Sequence, residues 1–151
     1  MSDEVEIGRG KRGRRAYTLD DIALVPSRRT RDPEDVNVGW QIDAYHVDIP
    51  LMAAPMDSVM SPETAIAFGR LGGIGVLDLD GLWTRYEDPT PILDHIAHLG
   101  EEESIATLQR VYSEPIKPSL ITARLKQLRE AGVVVAGKLS PQRVQKYWRA
   151  V

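Results

Sequence analysis

Two neighbouring side chains, Met56 and Asp57, have the chemistry and the placement that ligand binding in an α/β fold requires. They lie in residues 55–58, directly after the apolar run 51–54, which predicts a short buried strand. The loop at the carboxyl end of such a strand is where α/β folds bind ligands. A methionine there either packs under a flat heterocycle or fills core space. Asp57 either contacts a ligand hydroxyl or bonds loop amides and holds the turn.

The elements that must position this loop follow at once. Ser61-Pro62 predicts a helix start, because serine accepts from free N–H groups of the first turn and proline has no N–H to leave unpaired. Gly72-Gly73 predicts its end. Residues 74–77 and 133–136 predict two further buried strands, with helices between them over 91–99 (capped by Thr90), 102–112 and 119–131. This order predicts the beginning of a parallel α/β arrangement.

The flanking segments give weaker predictions. Residues 1–16 carry five cations and predict a basic, flexible arm, whereas 17–151 are expected to fold. Residues 22–25 predict a short strand or an extended piece, 26–39 a loop and 41–47 an extended segment. Asp20 and Asp21 are expected to serve as caps or structural hydrogen-bond partners, because adjacent residues of an extended segment point to opposite sides. Ser140-Pro141 repeats the helix-start pattern and precedes an apolar stripe at positions 144, 147, 148 and 151.

Two further patterns resemble ligand-binding motifs. Gly8-x-Gly10-x-x-Gly13 matches the dinucleotide fingerprint by letter, but no strand is predicted before it, so we interpret the match as accidental. His95 and His98 lie three residues apart on a predicted helix. Without a clear third ligand they are expected to be ordinary helix residues, and no metal site is predicted.

The composition narrows the functional classes. The chain has 151 residues, 27% of them charged, and a formal net charge of −3, which argues against a dedicated nucleic-acid binder. It contains no cysteine, hence no disulfide, thiolate nucleophile or cysteine-ligated metal. It has neither a signal segment nor an apolar run of about 18 residues, so we expect a cytoplasmic protein without a membrane partner.

Several segments, in order, resemble the family of IMP dehydrogenases and GMP reductases. Residues 17–26, YTLDDIALVP, are similar to the family's Leu-Thr-Phe-Asp-Asp-Val-Leu-Leu-Val-Pro. Residues 54–59, APMDSV, are similar to its Ser-Pro-Met-Asp-Thr-Val, and 65–67 and 72–76 continue the resemblance at the same spacing. Many IMP dehydrogenases carry a regulatory CBS pair after the second strand, where this chain predicts helices. The chain therefore looks most like the CBS-less IMP-dehydrogenase-related proteins of actinobacteria.

The resemblance implies the N-terminal portion of an incomplete (β/α)8 TIM barrel that binds a purine nucleotide, IMP or GMP, at its carboxyl face. It implies an oxidoreductase that converts IMP to XMP with NAD or NADP, working as a homotetramer when full length. GMP reductase is the near alternative, and a non-catalytic nucleotide-binding or regulatory paralog is another. Ala54 matches a position lining the nucleotide site, Met56 the methionine under the base, and Asp57 a supporting residue.

Most of the family's active site has no counterpart here. The cysteine, the phosphate loops, the cofactor acid and the potassium site belong to later segments of the family, so the resemblance assigns no catalytic, cofactor-binding or metal residue to this chain. Asp78 stands where the family often has histidine. The chain alone is expected to be inactive, because the reaction that the resemblance implies needs a thiolate.

Overall fold

The computed structural model describes residues 4–25 and 32–151. The chain divides into two compact units, Met1–Asn37 and Val38–Val151. No helix among the described residues is long and apolar enough to cross a membrane.

The first unit begins with a β-hairpin. Strand β1 (Glu4–Glu6) pairs antiparallel with β2 (Arg12–Arg14), and Gly8 and Gly10 both have φ of +72° in the connection. The prediction that no strand precedes Gly8 was wrong, because these two glycines let the chain reverse and pair its flanking segments. The fingerprint interpretation still does not apply, because a strand rather than a helix follows the glycines.

The segment after the hairpin holds a short 3-10 helix, Leu19–Asp21. The Asp21 carboxylate accepts from the Thr18 amide at 2.9 Å and from its hydroxyl at 3.0 Å, which confirms a structural hydrogen-bonding role for this residue. Of the short strand or extended piece predicted over 22–25, the structure shows no strand, and Ile22 has extended backbone angles, φ −126° and ψ 151°. Leu24 is 99% exposed, and these residues pair with no strand among those the structure describes. Residues 26–31 of the loop predicted over 26–39 lie outside the described residues.

The second unit opens with another hairpin. Strand β3 (Trp40–Ile42) pairs antiparallel with β4 (Tyr45–Val47), and Asp43 makes the turn at φ +50°. This agrees with the extended segment predicted over 41–47 and adds the reversal within it. Val47 is buried against Ile74 and Val76 of the following sheet.

A three-stranded parallel sheet forms the centre of this unit. In chain order its elements are β5 (Met52–Ala53), α1 (Pro62–Arg70), β6 (Ile74–Asp78), α2 (Thr90–Ala97), α3 (Glu101–Val111), α4 (Pro118–Glu130), β7 (Ala136–Lys138) and α5 (Pro141–Tyr147). The strands lie in sequence order, β5-β6-β7, with Met52 opposite Ile74 and Val76 opposite Ala136. Strands that neighbour one another in sequence order, joined by helical crossovers, form the opening units of a (β/α)8 barrel. The α/β prediction is confirmed, and the described residues form no closed barrel.

Helix α1 packs directly on β6. The Ser61 side chain accepts from the Thr64 amide at 3.0 Å, which confirms the predicted N-cap. Gly72, at φ +94°, lets the chain turn back after the helix. A Cβ at Gly75 would lie 2.6 Å from the Ala65 Cα, so glycine permits the close approach of helix to strand.

Helix α4 packs into the same core as Ala65 of α1 and contributes three buried side chains to it. Its residues Ile121, Leu125 and Leu128 are buried together with Leu77 and Leu79. In α5, Tyr147 joins this core, but the rest of the stripe does not, and Trp148 is 59% exposed. Three predicted boundaries shift. The third strand lies at 136–138 rather than 133–136, because its register with β6 begins at Val76. Strand β5 keeps only two of its four predicted residues, and Thr90 begins α2 instead of capping it.

Candidate functional site

The carboxyl ends of β5, β6 and β7 meet at one edge of the sheet, as parallel strands require. The ends of β6 and β7 are joined by side chains: the Asp80 Oδ2 accepts from the Ser140 amide at 2.7 Å, and the Lys138 Nζ lies 3.3 Å from the Asp78 Oδ1. Arg143 approaches Asp80 at 3.7 Å. This edge is the one at which α/β folds bind ligands.

Asp57, in the loop after β5, makes two contacts across the site with one oxygen. Its Oδ2 accepts from the Leu82 amide at 2.7 Å and from the Tyr112 hydroxyl at 2.5 Å. The loop is thereby tied to the segment after β6 and to the end of α3. The other oxygen, Oδ1, is buried and has no hydrogen-bond partner. Of the two roles open to Asp57, the structure shows that of holding the loop, and contact with a ligand stays a prediction.

Gly81 is the reason that the Asp57 carboxylate fits where it does. A Cβ on Gly81 would lie 2.6 Å from the Asp57 Oδ2, and closer still to Oδ1. Real Cβ atoms do not approach other atoms within 3.0 Å, so any larger residue at position 81 displaces the carboxylate. The Asp-Leu-Asp-Gly turn after β6 is therefore shaped around a side chain from the previous strand's loop.

Burial dominates the electrostatics of the two hydrogen-bonded side chains. It raises the pKa of Asp57 above its ordinary value, although the hydrogen bonds from Tyr112 and Leu82 act in the opposite direction. Burial, together with the hydrogen bond to Asp57, also raises the pKa of the Tyr112 phenol, which stays protonated and donates. Burial would lower the pKa of Lys138, but Asp78 and Asp80 outweigh it and raise that pKa.

Met56 faces an open cleft of about 700 Å³. One wall is the loop after β5, and the opposite wall comes from α2 and α3, with Leu93, Ile96 and Leu108 among its side chains. Met56 is 50% exposed, so core filling does not account for it. Among the described residues, no lysine, arginine or histidine lines this cleft, whereas Asp57, Asp78 and Asp94 do, so its chemistry suits a flat, largely apolar ring better than a phosphate group.

The other predicted site residue lies differently. Ala54 is exposed and is not among the residues lining the cleft; its carbonyl accepts from the Met56 amide at 2.9 Å and helps to shape the loop. The His98 ring contacts the Asp94 carbonyl at 2.7 Å. Within residues 4–25 and 32–151, no group of three His, Cys, Asp or Glu side chains is placed to hold a metal ion.

Sequence reasoning missed Tyr112 and Gly81. Tyr112 sits in phase with the apolar face of its helix, so the pattern indicated a core residue and carried no sign of a partner 55 positions away. Gly81 was assigned to a turn, which is correct. Gly81 follows Asp78 and Asp80 and directly precedes a buried 3-10 helix, Leu82–Thr84. This location was the available sign that another group packs closely against the glycine.

Comparisons with known proteins agree with this geometry. The family model described as IMP dehydrogenase / GMP reductase domain matches residues 16–83, which include the loop after β5 and Gly81. A solved IMP dehydrogenase/GMP reductase-like protein from Corynebacterium glutamicum superposes with a TM-score of 0.81 at 41% identity, over 98% of this chain and 41% of that one.

Relatives by sequence point the same way. An uncharacterized oxidoreductase of Mycolicibacterium smegmatis is 44% identical over 146 residues, or 93% of this chain and 39% of that protein. The inosine-5'-monophosphate dehydrogenase of Methanocaldococcus jannaschii is 42% identical over 64 residues, or 42% of this chain and 13% of that protein. The chain thus spans about two fifths of the length of the actinobacterial relatives it matches. Its similarity, strongest over residues 16–83, is to the IMP dehydrogenase/GMP reductase family.

Proposed function

We propose that this chain provides the purine-binding loop of an oxidoreductase of the IMP dehydrogenase type, which converts IMP to XMP with NAD or NADP. One observation carries the proposal: Met56 is half exposed in an apolar cleft at the carboxyl edge of parallel strands. A thioether beneath an aromatic ring gains polarizable contact without a fixed hydrogen-bond requirement. The homotetramer that the resemblance implies is part of the proposal for the whole protein.

The contribution of this chain is binding and orientation. Met56 supplies one face for the base, and Asp57 holds the loop that carries it. Leu93, Ile96 and Leu108 supply apolar contact for the ring from the opposite wall of the cleft. A nicotinamide cofactor would supply the hydride acceptor for the purine, and the resemblance assigns no residue of this chain to hold it. No cysteine is present in the 151 residues, so a thiolate must come from outside this chain.

Nucleotide binding tests the proposal directly. Isothermal titration calorimetry of the purified chain with IMP and with GMP should detect binding, and Met56→Ala should weaken it about fivefold, the equivalent of roughly 1 kcal/mol of ring contact. Met52→Ala is the matched control, because Met52 is 60% exposed on β5 and does not line the cleft. Failure of the chain to bind either nucleotide, or equal losses in the two variants, would contradict the proposal.

A further inference from the structure

The loop that carries Met56 is fixed to the rest of the second unit through the neighbouring side chain. Within the loop, the Met56 amide donates to the Ala54 carbonyl at 2.9 Å and the Met60 amide donates to the Met56 carbonyl at 2.7 Å. Those bonds shape the loop but do not orient it. Within the described part of the chain, Asp57 ties the loop to distant elements by two hydrogen bonds that its Oδ2 accepts, from Leu82 at 2.7 Å and from Tyr112 at 2.5 Å.

Tyr112 is itself held in place from two sides. Tyr86 donates its hydroxyl to the Val111 carbonyl at 3.1 Å. Arg85, only 4% exposed, donates to the Asp80 carbonyl at 2.9 Å and to the Glu114 carbonyl. Its guanidinium lies 5.5 Å from the centre of the Tyr112 ring. The phenol hydroxyl is thus presented to Asp57 by a fixed helix end.

We propose that Tyr112 is a positioning residue for the purine-binding loop: by holding the Asp57 carboxylate it sets the orientation of the adjacent Met56 and, through it, the affinity for the purine ring. This rests on the proposed function. Tyr112 also lines the same cleft, so the side chain that fixes one wall belongs to the opposite wall. The separation between the two walls is therefore set by this hydrogen bond.

Loss of the Tyr112 hydroxyl should change the orientation of the loop, because the Asp57 carboxylate then keeps only the Leu82 amide of its two described donors. Among the described residues the Asp57 Oδ1 has no hydrogen-bond partner, and the missing side chain of Gly81 leaves the carboxylate unconfined on that side. A buried carboxylate that loses a donor is poorly solvated and tends to move toward water. Such a movement displaces Met56, the residue that directly precedes Asp57.

The decisive experiment follows the methyl signals of the four methionines by NMR in protein labelled at the methionine methyl groups. Met56→Leu assigns the Met56 signal. Tyr112→Phe should shift that signal, whereas the matched Tyr45→Phe, which removes a hydroxyl on β4 outside the cleft, should leave it in place. Calorimetry should then show roughly tenfold weaker binding of IMP to Tyr112→Phe, as expected for one lost charge-assisted hydrogen bond.

A pH series separates positioning from a loss of folding. The Met56 signal should titrate with Asp57, and Tyr112→Phe should move the midpoint upward because the carboxylate loses a donor. The other groups that influence Asp57 are Asp78 and Arg85, and both are retained in the variant. Asp57→Asn should abolish the titration while keeping an acceptor for the phenol.

The possible results separate the two proposals. A Met56 signal that is the same in Tyr112→Phe and in the unaltered protein, with the same midpoint, overturns the role of Tyr112. If the signal and the midpoint shift but the chain binds no nucleotide, Tyr112 does position the loop. The same result overturns the proposed effect of Tyr112 on purine affinity and the proposed function. A shifted signal with unchanged nucleotide affinity overturns the link between loop orientation and purine binding.

Discussion

At the residue scale, one carboxylate oxygen of Asp57, Oδ2, accepts two hydrogen bonds, and the other, Oδ1, accepts none from the described residues. Its pKa is raised above 3.8, chiefly by burial. The folded protein therefore binds this proton more tightly than the unfolded chain does. The resulting stabilisation is fully present below pH 3.8 and is lost as the pH rises through the higher pKa of the folded state.

Asp57→Asn should reveal this linkage. The amide carries no charge but keeps an oxygen that accepts from Leu82 and Tyr112, so its stability lacks the pH dependence of the carboxylate. We expect the free energy of unfolding of the variant, relative to the unaltered protein, to increase steadily above pH 3.8 until Asp57 is fully ionised. Urea unfolding at a series of pH values measures it, and a difference independent of pH would contradict the assignment.

Gly81→Ala tests the close packing around the same carboxylate. The added methyl group meets both Asp57 oxygens, so the free energy of unfolding should fall by about 2 kcal/mol. Gly100→Ala is the control: a Cβ there meets nothing within 4 Å, and the expected cost is less than half as large. Thermal or urea unfolding compares them, and equal losses would mean that Gly81 does not make this contact.

The sequence located the loop residues but not their partners. Met56 and Asp57 could be singled out because they follow an apolar run that predicts a strand, which is local information. The partnership of Asp57 with Tyr112 depends on how the helices between β6 and β7 return to the sheet. No periodicity within that segment specifies the return, so the contact could be found only in three dimensions.

At the element scale, two identical Ser-Pro helix starts behave differently. Ser61 caps α1 with its side chain, whereas Ser140 makes no side-chain cap and instead donates its amide to Asp80. The Ser-Pro sequence alone predicted a helix start of the same kind at both positions. At the second serine, the Asp80 carboxylate after the neighbouring strand holds the main chain at the helix start by accepting from the Ser140 amide.

Replacing each serine by alanine measures that difference. Ser61→Ala should lower the free energy of unfolding by about 1 kcal/mol, the usual value of an N-cap side chain. Ser140→Ala should change it by less than about 0.5 kcal/mol, because the amide bond to Asp80 survives the substitution. A larger loss from Ser140→Ala than from Ser61→Ala would reverse the assignment of the two caps.

Helices were easier to predict than strands in this chain. Helices α1, α3 and α4 lie within one or two residues of their expected bounds, since each has a proline or glycine start and a regular apolar face. Strand β7 shifted because its limits depend on hydrogen bonds from β6. The segment 22–25 has strand-forming residues, but a strand needs a neighbour, and sequence pattern alone does not supply one.

At the scale of the whole molecule, the sheet of the second unit has apolar side chains at both outer strands. Met52 on β5 and Trp148 beyond α5 are exposed, and the described residues place no strand outside β5 or β7. Open strand edges beside apolar side chains favour association between copies. We therefore expect the apparent mass to increase with concentration in light scattering, and Trp148→Lys to reduce the increase. A single monomeric mass at all concentrations would contradict this prediction.

Catalysis is also a property of the whole molecule. The purified chain should form no NADH from IMP and NAD, because none of its 151 residues is a cysteine. The inosine-5'-monophosphate dehydrogenase of Methanocaldococcus jannaschii, assayed in parallel by NADH absorbance, serves as the positive control. NADH formation above background by this chain would contradict the proposal that the thiolate comes from outside it.

Arg85 determines which amino-acid substitutions the protein can accept around the end of α3 during evolution. Its guanidinium bonds to the main-chain carbonyls of Asp80 and Glu114, and every amino acid supplies such a carbonyl. Substitution of the side chain at position 114 should therefore leave the end of α3 in place. Arg85 has no such freedom, since lysine lacks the planar fork that reaches both carbonyls. Lineages that keep this helix end should vary at position 114 and retain arginine at position 85.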